Sequence, residues 1–199
     1  AEFTFLKLPA HVIVGETQTD GSCAFDAGSQ GLENITGERI RPIELRLRVA
    51  ATVCRYWNHL WEVGGARLGE MVNGAEFSDG PDYAARMSQY HCWADVAAII
   101  GMSIDFKRPI VLVYYTRDLD RAHEVIQPPV HWNVPNFDRN ARAIVIIYQE
   151  GRHYFAWINT VLRASHDAAA VAAARAAQQA AALARPRLAR LRANIPSDS

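Results

Sequence analysis

"TDGSCAFDA", Thr19 to Ala27, sets a cysteine directly after Asp-Gly-Ser and ahead of small and apolar residues. Glycine punctuates a turn, serine is a common helix cap, and Asp26 falls where a helix's first turn favours an acid. The spacing predicts a turn over Asp20–Ser22 and a helix that begins at Cys23. A thiol in that place is either a small buried hydrophobe or a nucleophile. The unpaired amides of a first turn, with the helix dipole, stabilise a thiolate and lower its pKa. Gly21 lets successive N–H groups converge beside the sulfur, where they can hold the oxyanion of a carbonyl under attack. Cys23 is therefore the candidate nucleophile, and the amides of Gly21, Ser22 and Cys23 are the candidate oxyanion hole.

A thiol nucleophile needs a base, usually histidine. Of seven histidines, His153 has the best setting: it follows a glycine turn and opens the apolar run Tyr154–Ile158. That run predicts a strand central to a sheet, and a rigid strand holds an imidazole in register better than a loop does. His131, in "PPVHWN", is the runner-up. His59 lies late in a predicted helix, and His91 at a helix junction.

Working outward, "HVIVGET" predicts a short strand ended by Gly15. "RPIELRLRVAATVCRYWNHLWEV" predicts a long helix, with Pro42 in its first turn and Leu45, Val49, Val53 and Leu60 at helical spacing. Cys54 and Trp57 within it read as packing groups. Glu70, Glu76, Asp79 and Asp82 fall in a glycine-rich stretch without basic residues, which reads as a solvated loop able to attract a basic partner. Residues 83–104 predict one or two helices broken near His91. "PIVLVYY", "ARAIVIIYQ" and "HYFAWI" predict strands, the last two joined by Glu150-Gly151-Arg152 as a tight hairpin. Residues 165–183 are alanine-dominated and predict an appended helix, stopped by Pro186. The fold class is α+β, with a helical first half, a small central mixed or antiparallel sheet and a C-terminal alanine-rich helix. The domains expected are 1–162, the folded body, and 163–199, a helical extension.

The composition is that of an ordinary soluble domain, 50% hydrophobic and 21% charged over 199 residues. No apolar run is long enough to span a membrane, and no secretory leader is recognisable, so a cytoplasmic location is expected. Cys23, Cys54 and Cys92 are odd in number and widely spaced, which fits neither a disulfide framework nor a zinc site. No metal and no other cofactor is expected. From Arg163 onward six arginines face two acids, so the tail carries +4 and the body −4 against a formal total of zero. An acidic body is a poor nucleic-acid surface.

"TDGSCAFDA", "YAARMSQYHCWADVAAIIGMSIDFKRPIVLVYY" and "IVIIYQEGRHYFAWI" together resemble the ovarian-tumour (OTU) domain cysteine proteases, over roughly residues 12–158. That family carries Asp-Gly-x-Cys, then a Tyr…Met…Trp segment, matched by Tyr83, Met87 and Trp93, then a His-Tyr strand, matched by His153-Tyr154. The resemblance implies a papain-like OTU fold and a monomeric thiol-dependent deubiquitinase, acting on (iso)peptide bonds after the C-terminal Gly-Gly of ubiquitin or a ubiquitin-like modifier. Polyubiquitin would be a substrate, and a pathogen effector or viral product acting in host cytoplasm would fit. Cys23 would attack, His153 would act as base and then acid, and Asp20 would hold the oxyanion turn in shape. Trp93 and Tyr154 are candidate substrate contacts, each with core packing as the plainer alternative.

One position departs from the family. Asp or Asn often stands two residues after the histidine to orient the imidazole; here Phe155 stands there. Asn159, on the same strand, would be about 20 Å away. Glu16 or Thr17, Asn133 or Asn136, or no residue at all could fill the role, the last because a thiol at a helix start is already acidic. Two other functions stay open: a catalytically weak ubiquitin-binding module, and a viral-type protease that processes its own polyprotein.

Overall fold

A computed structural model describes residues 8–62, 64–72, 76–115, 123–149, 151 and 153–193. The chain runs β1 (Val12–Gly15), α1 (Cys23–Thr36), α2 (Pro42–Tyr56), α3 (Leu68–Met71), α4 (Gly80–Met87), α5 (Val96–Phe106) and β2 (Ile110–Tyr115). It continues through β3 (His123–Ile126), a 3-10 turn at Val130–Trp132, β4 (Ile144–Gln149), β5 (His153–Asn159) and α6 (Thr160–Ala193). This is the expected α+β arrangement. The sheet is mixed, in the order β1-β5-β4-β2-β3, with β2 parallel to β4 and the other pairs antiparallel.

β5 lies in the interior of the sheet, paired to β1 on one side and β4 on the other. Its register sets His153 against Gln149 and Ala156 against Gly15. α1 covers β5 with a face of small residues: Ala24, Ala27, Gly28 and Gly31 are all buried. A Cβ on Gly31 would stand 2.6 Å from Ile144 Cγ2, so the helix sits closer to the sheet than any larger residue would allow. Close seating at this helix brings its first residue, Cys23, to the start of β5. On the other side of α1, Leu45, Val49 and Val53 of α2 and the largely apolar α5 complete the core.

Four expectations are revised. α2 ends at Tyr56, before Leu60, because the chain turns into a bridge between Leu60 and Arg67. β3 was not foreseen: "HEVI" is short and polar, and only pairing to β2 makes it a strand. The acidic stretch is not a solvated loop; Leu68, Val72 and Phe77 are buried in it. Asp79 accepts from the Asp82 amide at the start of α4 (2.8 Å), and Asp82 lies 3.8 Å from Arg86, so these acids are spent on local structure. α6 runs past Pro186 to Ala193. Proline removes one amide donor and crowds the preceding turn, which strains a helix without always ending it. Glu150 and Arg152 of the hairpin lie outside the described residues; Gly151 has φ 68°, the left-handed geometry a tight turn needs.

Candidate active site

The turn before α1 has the predicted form. Gly21 takes φ 86°, and a Cβ there would meet the His91 carbonyl oxygen at 3.2 Å, so the position is closed to other residues by conformation and by space. Asp20 Oδ1 accepts from the Ser22 amide at 3.2 Å, and the Tyr90 hydroxyl is the main influence holding the Asp20 carboxyl below its usual range. Asp20 therefore braces the turn, and the Ser22 N–H is engaged by it. Ser22 does not cap α1 with its side chain; its hydroxyl accepts from Arg46 at 3.2 Å instead.

Arg46 is the residue that the sequence reading passed over. It is fully buried in α2, and its two terminal nitrogens donate to the carbonyls of Gly21 (2.8 Å), Met87 (2.9 Å), Gln89 (3.1 Å), Tyr90 (3.3 Å) and Cys92 (2.8 Å). Its guanidinium also lies 4.5 Å from the centre of the Phe25 ring. One side chain thus ties the Cys23 turn to the segment after α4. The guanidinium fork reaches several acceptors at once, which an ammonium cannot. The signal was present: Arg46 falls on the buried stripe of α2, beside Leu45 and three residues before Val49, where an apolar residue belongs.

Cys23 is 1% exposed. Burial pushes its thiol pKa up; the backbone N–H of Tyr154, with the amides of Ala24 and Cys23, acts the other way without prevailing. The expectation of an acidic thiol is therefore corrected: desolvation outweighs the helix start. Cys23 opens α1, the helix packed on β5, and His153 opens β5.

His153 is partly buried, and desolvation lowers its pKa while Glu16 and Asp26 push it back up. Its Nε2 lies 2.7 Å from Thr17 Oγ1. The Thr17 hydroxyl donates its one proton to the Tyr154 carbonyl. It can therefore only accept from His153, so Nε2 carries the ring proton and Nδ1 is the basic nitrogen. Thr17 stands just beyond β1; the pairing of Gly15 with Ala156, extended by two residues, sets it opposite Tyr154.

Among the other possible orienting groups, Asn159 exchanges hydrogen bonds with Asn34 (2.9 and 3.0 Å) and accepts from the first amides of α6. Asn133 Nδ2 donates to the His131 carbonyl at 3.3 Å. Phe155 packs its ring edge-on against His153, with centroids 4.5 Å apart. His131 bonds the Leu60 carbonyl at 2.8 Å and belongs to a different cluster. Tyr154 is buried against Tyr148, as its packing alternative had it. Trp93 is 53% exposed, so it is not a core residue; it follows directly on the segment that Arg46 clamps to the turn.

No family model matches the sequence, and no curated protein sequence matches it. Solved structures do match. An OTU deubiquitinase from Wolbachia pipientis wMel bound to ubiquitin is 17% identical, with 76% of this chain and 98% of that chain covered at a TM-score of 0.53. The OTU domain of OTUD1 is 15% identical, covering 74% and 85% at 0.51. The viral OTU domain protease from Qalyub virus is 13% identical, covering 74% and 83% at 0.50. The fold of this chain is OTU-like.

Proposed function

We propose that this chain is a deubiquitinase in which Cys23 is the nucleophile and His153 the base. The carrying observation is that Cys23 opens the helix packed on β5, while His153, with a defined basic nitrogen, opens β5 itself. Because burial keeps the thiol protonated, attack and proton removal go together. His153 Nδ1 takes the proton as the sulfur bonds to the carbonyl carbon of the modifier's last glycine. The oxyanion is held by the amides of Gly21 and Cys23, since the Ser22 amide is engaged by Asp20. The imidazolium then protonates the leaving lysine amine, and the C–N bond breaks to leave a thioester. Water, deprotonated by His153, hydrolyses the thioester and returns the thiol.

The substrate is ubiquitin or a ubiquitin-like modifier with a C-terminal Gly-Gly. Gly-Gly suits a buried sulfur, because a chain without side chains needs the least room to reach it. Trp93, exposed and directly after the segment that Arg46 ties to the Cys23 turn, is the proposed substrate contact, and Tyr154 serves through its backbone rather than its ring. Hydrolysis of a fluorogenic C-terminal amide of ubiquitin tests the reading. The wild type turns it over, Cys23→Ala abolishes turnover and His153→Ala lowers kcat/KM by about a hundredfold or more. Ubiquitin binding without turnover by the wild type would make the domain a binding module instead. Turnover that survives Cys23→Ala would remove the proposed nucleophile.

A further inference from the structure

We propose that Asp26 is a positioning residue of this site: with Gln30 it clamps the segment Glu16–Gln18 to the first two turns of α1, and through Thr17 it fixes the orientation and tautomer of His153. The proposal rests on the reading of His153 as the base.

Each link is a hydrogen bond. Asp26 Oδ2 accepts from the Gln18 amide at 3.0 Å, and Oδ1 accepts from Gln30 Nε2 at 3.2 Å. Gln30 Nε2 also donates to the Glu16 carbonyl at 2.8 Å. The two side chains are four residues apart, on one face of α1, and grip the segment on either side of Thr17. Thr17 then spends its proton on the Tyr154 carbonyl and its lone pair on His153. Gly15 makes room for the grip: a Cβ there would stand 2.8 Å from Gln30 Oε1 and 2.9 Å from Ala156 Cβ.

The need for such a device follows from two features already described. Phe155 stands where a carboxylate or amide would hold the imidazole directly, and a hydroxyl on a short connecting segment is a weaker handle unless the segment is itself fixed. The Cys23 thiol is not acidic, so a defined basic nitrogen on His153 matters more than it would beside a preformed thiolate. Glu16, from the segment after β1, and Asp26, from α1, are the charged groups that act on the imidazole, and the β4 partner, Gln149, is uncharged.

The test compares wild type with Asp26→Ala, Asp26→Asn, Thr17→Val, Thr17→Ser and the double variant Thr17→Val/Asp26→Ala. Two readouts are used: kcat and KM on the fluorogenic ubiquitin amide, and the ¹⁵N shifts of the His153 ring without substrate. Wild type and Thr17→Ser should show one tautomer, protonated at Nε2. Asp26→Ala and Thr17→Val should show mixed tautomers and a kcat lower by about tenfold or more with KM within about twofold. Asp26→Asn, which keeps an acceptor but not the charge, should keep the tautomer and lower the His153 pKa. The double variant should be no worse than Thr17→Val, because Asp26 acts through Thr17. Wild-type tautomer and kcat in Asp26→Ala, or an additive loss in the double variant, would overturn the proposal while leaving the enzyme reading intact. A tautomer that mixes in Asp26→Ala, in a protein that hydrolyses no ubiquitin amide, would uphold the clamp and defeat that reading.

Discussion

At the residue scale the site turns on where two protons rest. Burial holds one on Cys23, and Thr17 assigns the other to His153 Nε2. As the proposed base, His153 must be neutral to act, and burial lowers its pKa below the usual value of about 6.5 more than Glu16 and Asp26 raise it. The acid limb of kcat/KM should accordingly have its midpoint below that value, read from initial rates at low substrate through the acid range. A midpoint above it would mean that an imidazolium is stabilised in the resting site, as beside a preformed thiolate. Cys23 and His153 stood out as candidates because each sits in a local context with a chemical meaning, a glycine turn before a helix and a glycine turn before a strand. It could not choose Thr17 from the other orienting groups, because that contact depends on the pairing of β1 with β5 across 136 residues. Nor could it show that burial outweighs the helix start at the thiol, since desolvation belongs to the packed fold.

At the scale of elements, the geometry depends on the seating of α1 on the sheet and on the tie from α2 to the turn before it. Arg46 makes that tie by satisfying five backbone carbonyls and the Ser22 hydroxyl. Arg46→Met would leave several of those buried groups without a donor, at about 1–3 kcal/mol for each that water does not reach. Urea unfolding should show a loss of about 3 kcal/mol or more, and Arg46→Lys should recover little of it, because one ammonium cannot span both segments. A loss under about 1 kcal/mol for Arg46→Met would show that the two segments hold together without it. The strands and helices of the core were legible from their apolar runs, and α5 is the clearest case, apolar from Val96 to Met102. β3 was not, since its residues have little to bury on their own; the acids Glu70, Glu76 and Asp79 are exposed as a solvated stretch would have them, but the short helices beside them were hidden by the glycines.

At the scale of the molecule, the body and the long last helix are unequal partners. α6 touches the body near its start, where His166 Nε2 lies 3.1 Å from the Ile35 carbonyl, and from Ala168 to Ala182 its residues are exposed. Truncation after Ala170 should therefore reduce helical circular dichroism while leaving the thermal midpoint of the body and the rate on the ubiquitin amide unchanged; a fall in either would assign the distal helix a part in the fold or the site. Pro186 as a stop was a local rule applied to a helix that continues through it, whereas the order of the three motifs, read together, anticipated the OTU-like body. The central claim is that Cys23 attacks the carbonyl at the end of ubiquitin. Its most direct test is the intact mass of the protein after incubation with ubiquitin carrying a C-terminal electrophile. A single ubiquitin-sized adduct on the wild type, absent from Cys23→Ala and slowed in His153→Ala, is the predicted result; no adduct on the wild type, or one that persists in Cys23→Ala, would contradict it.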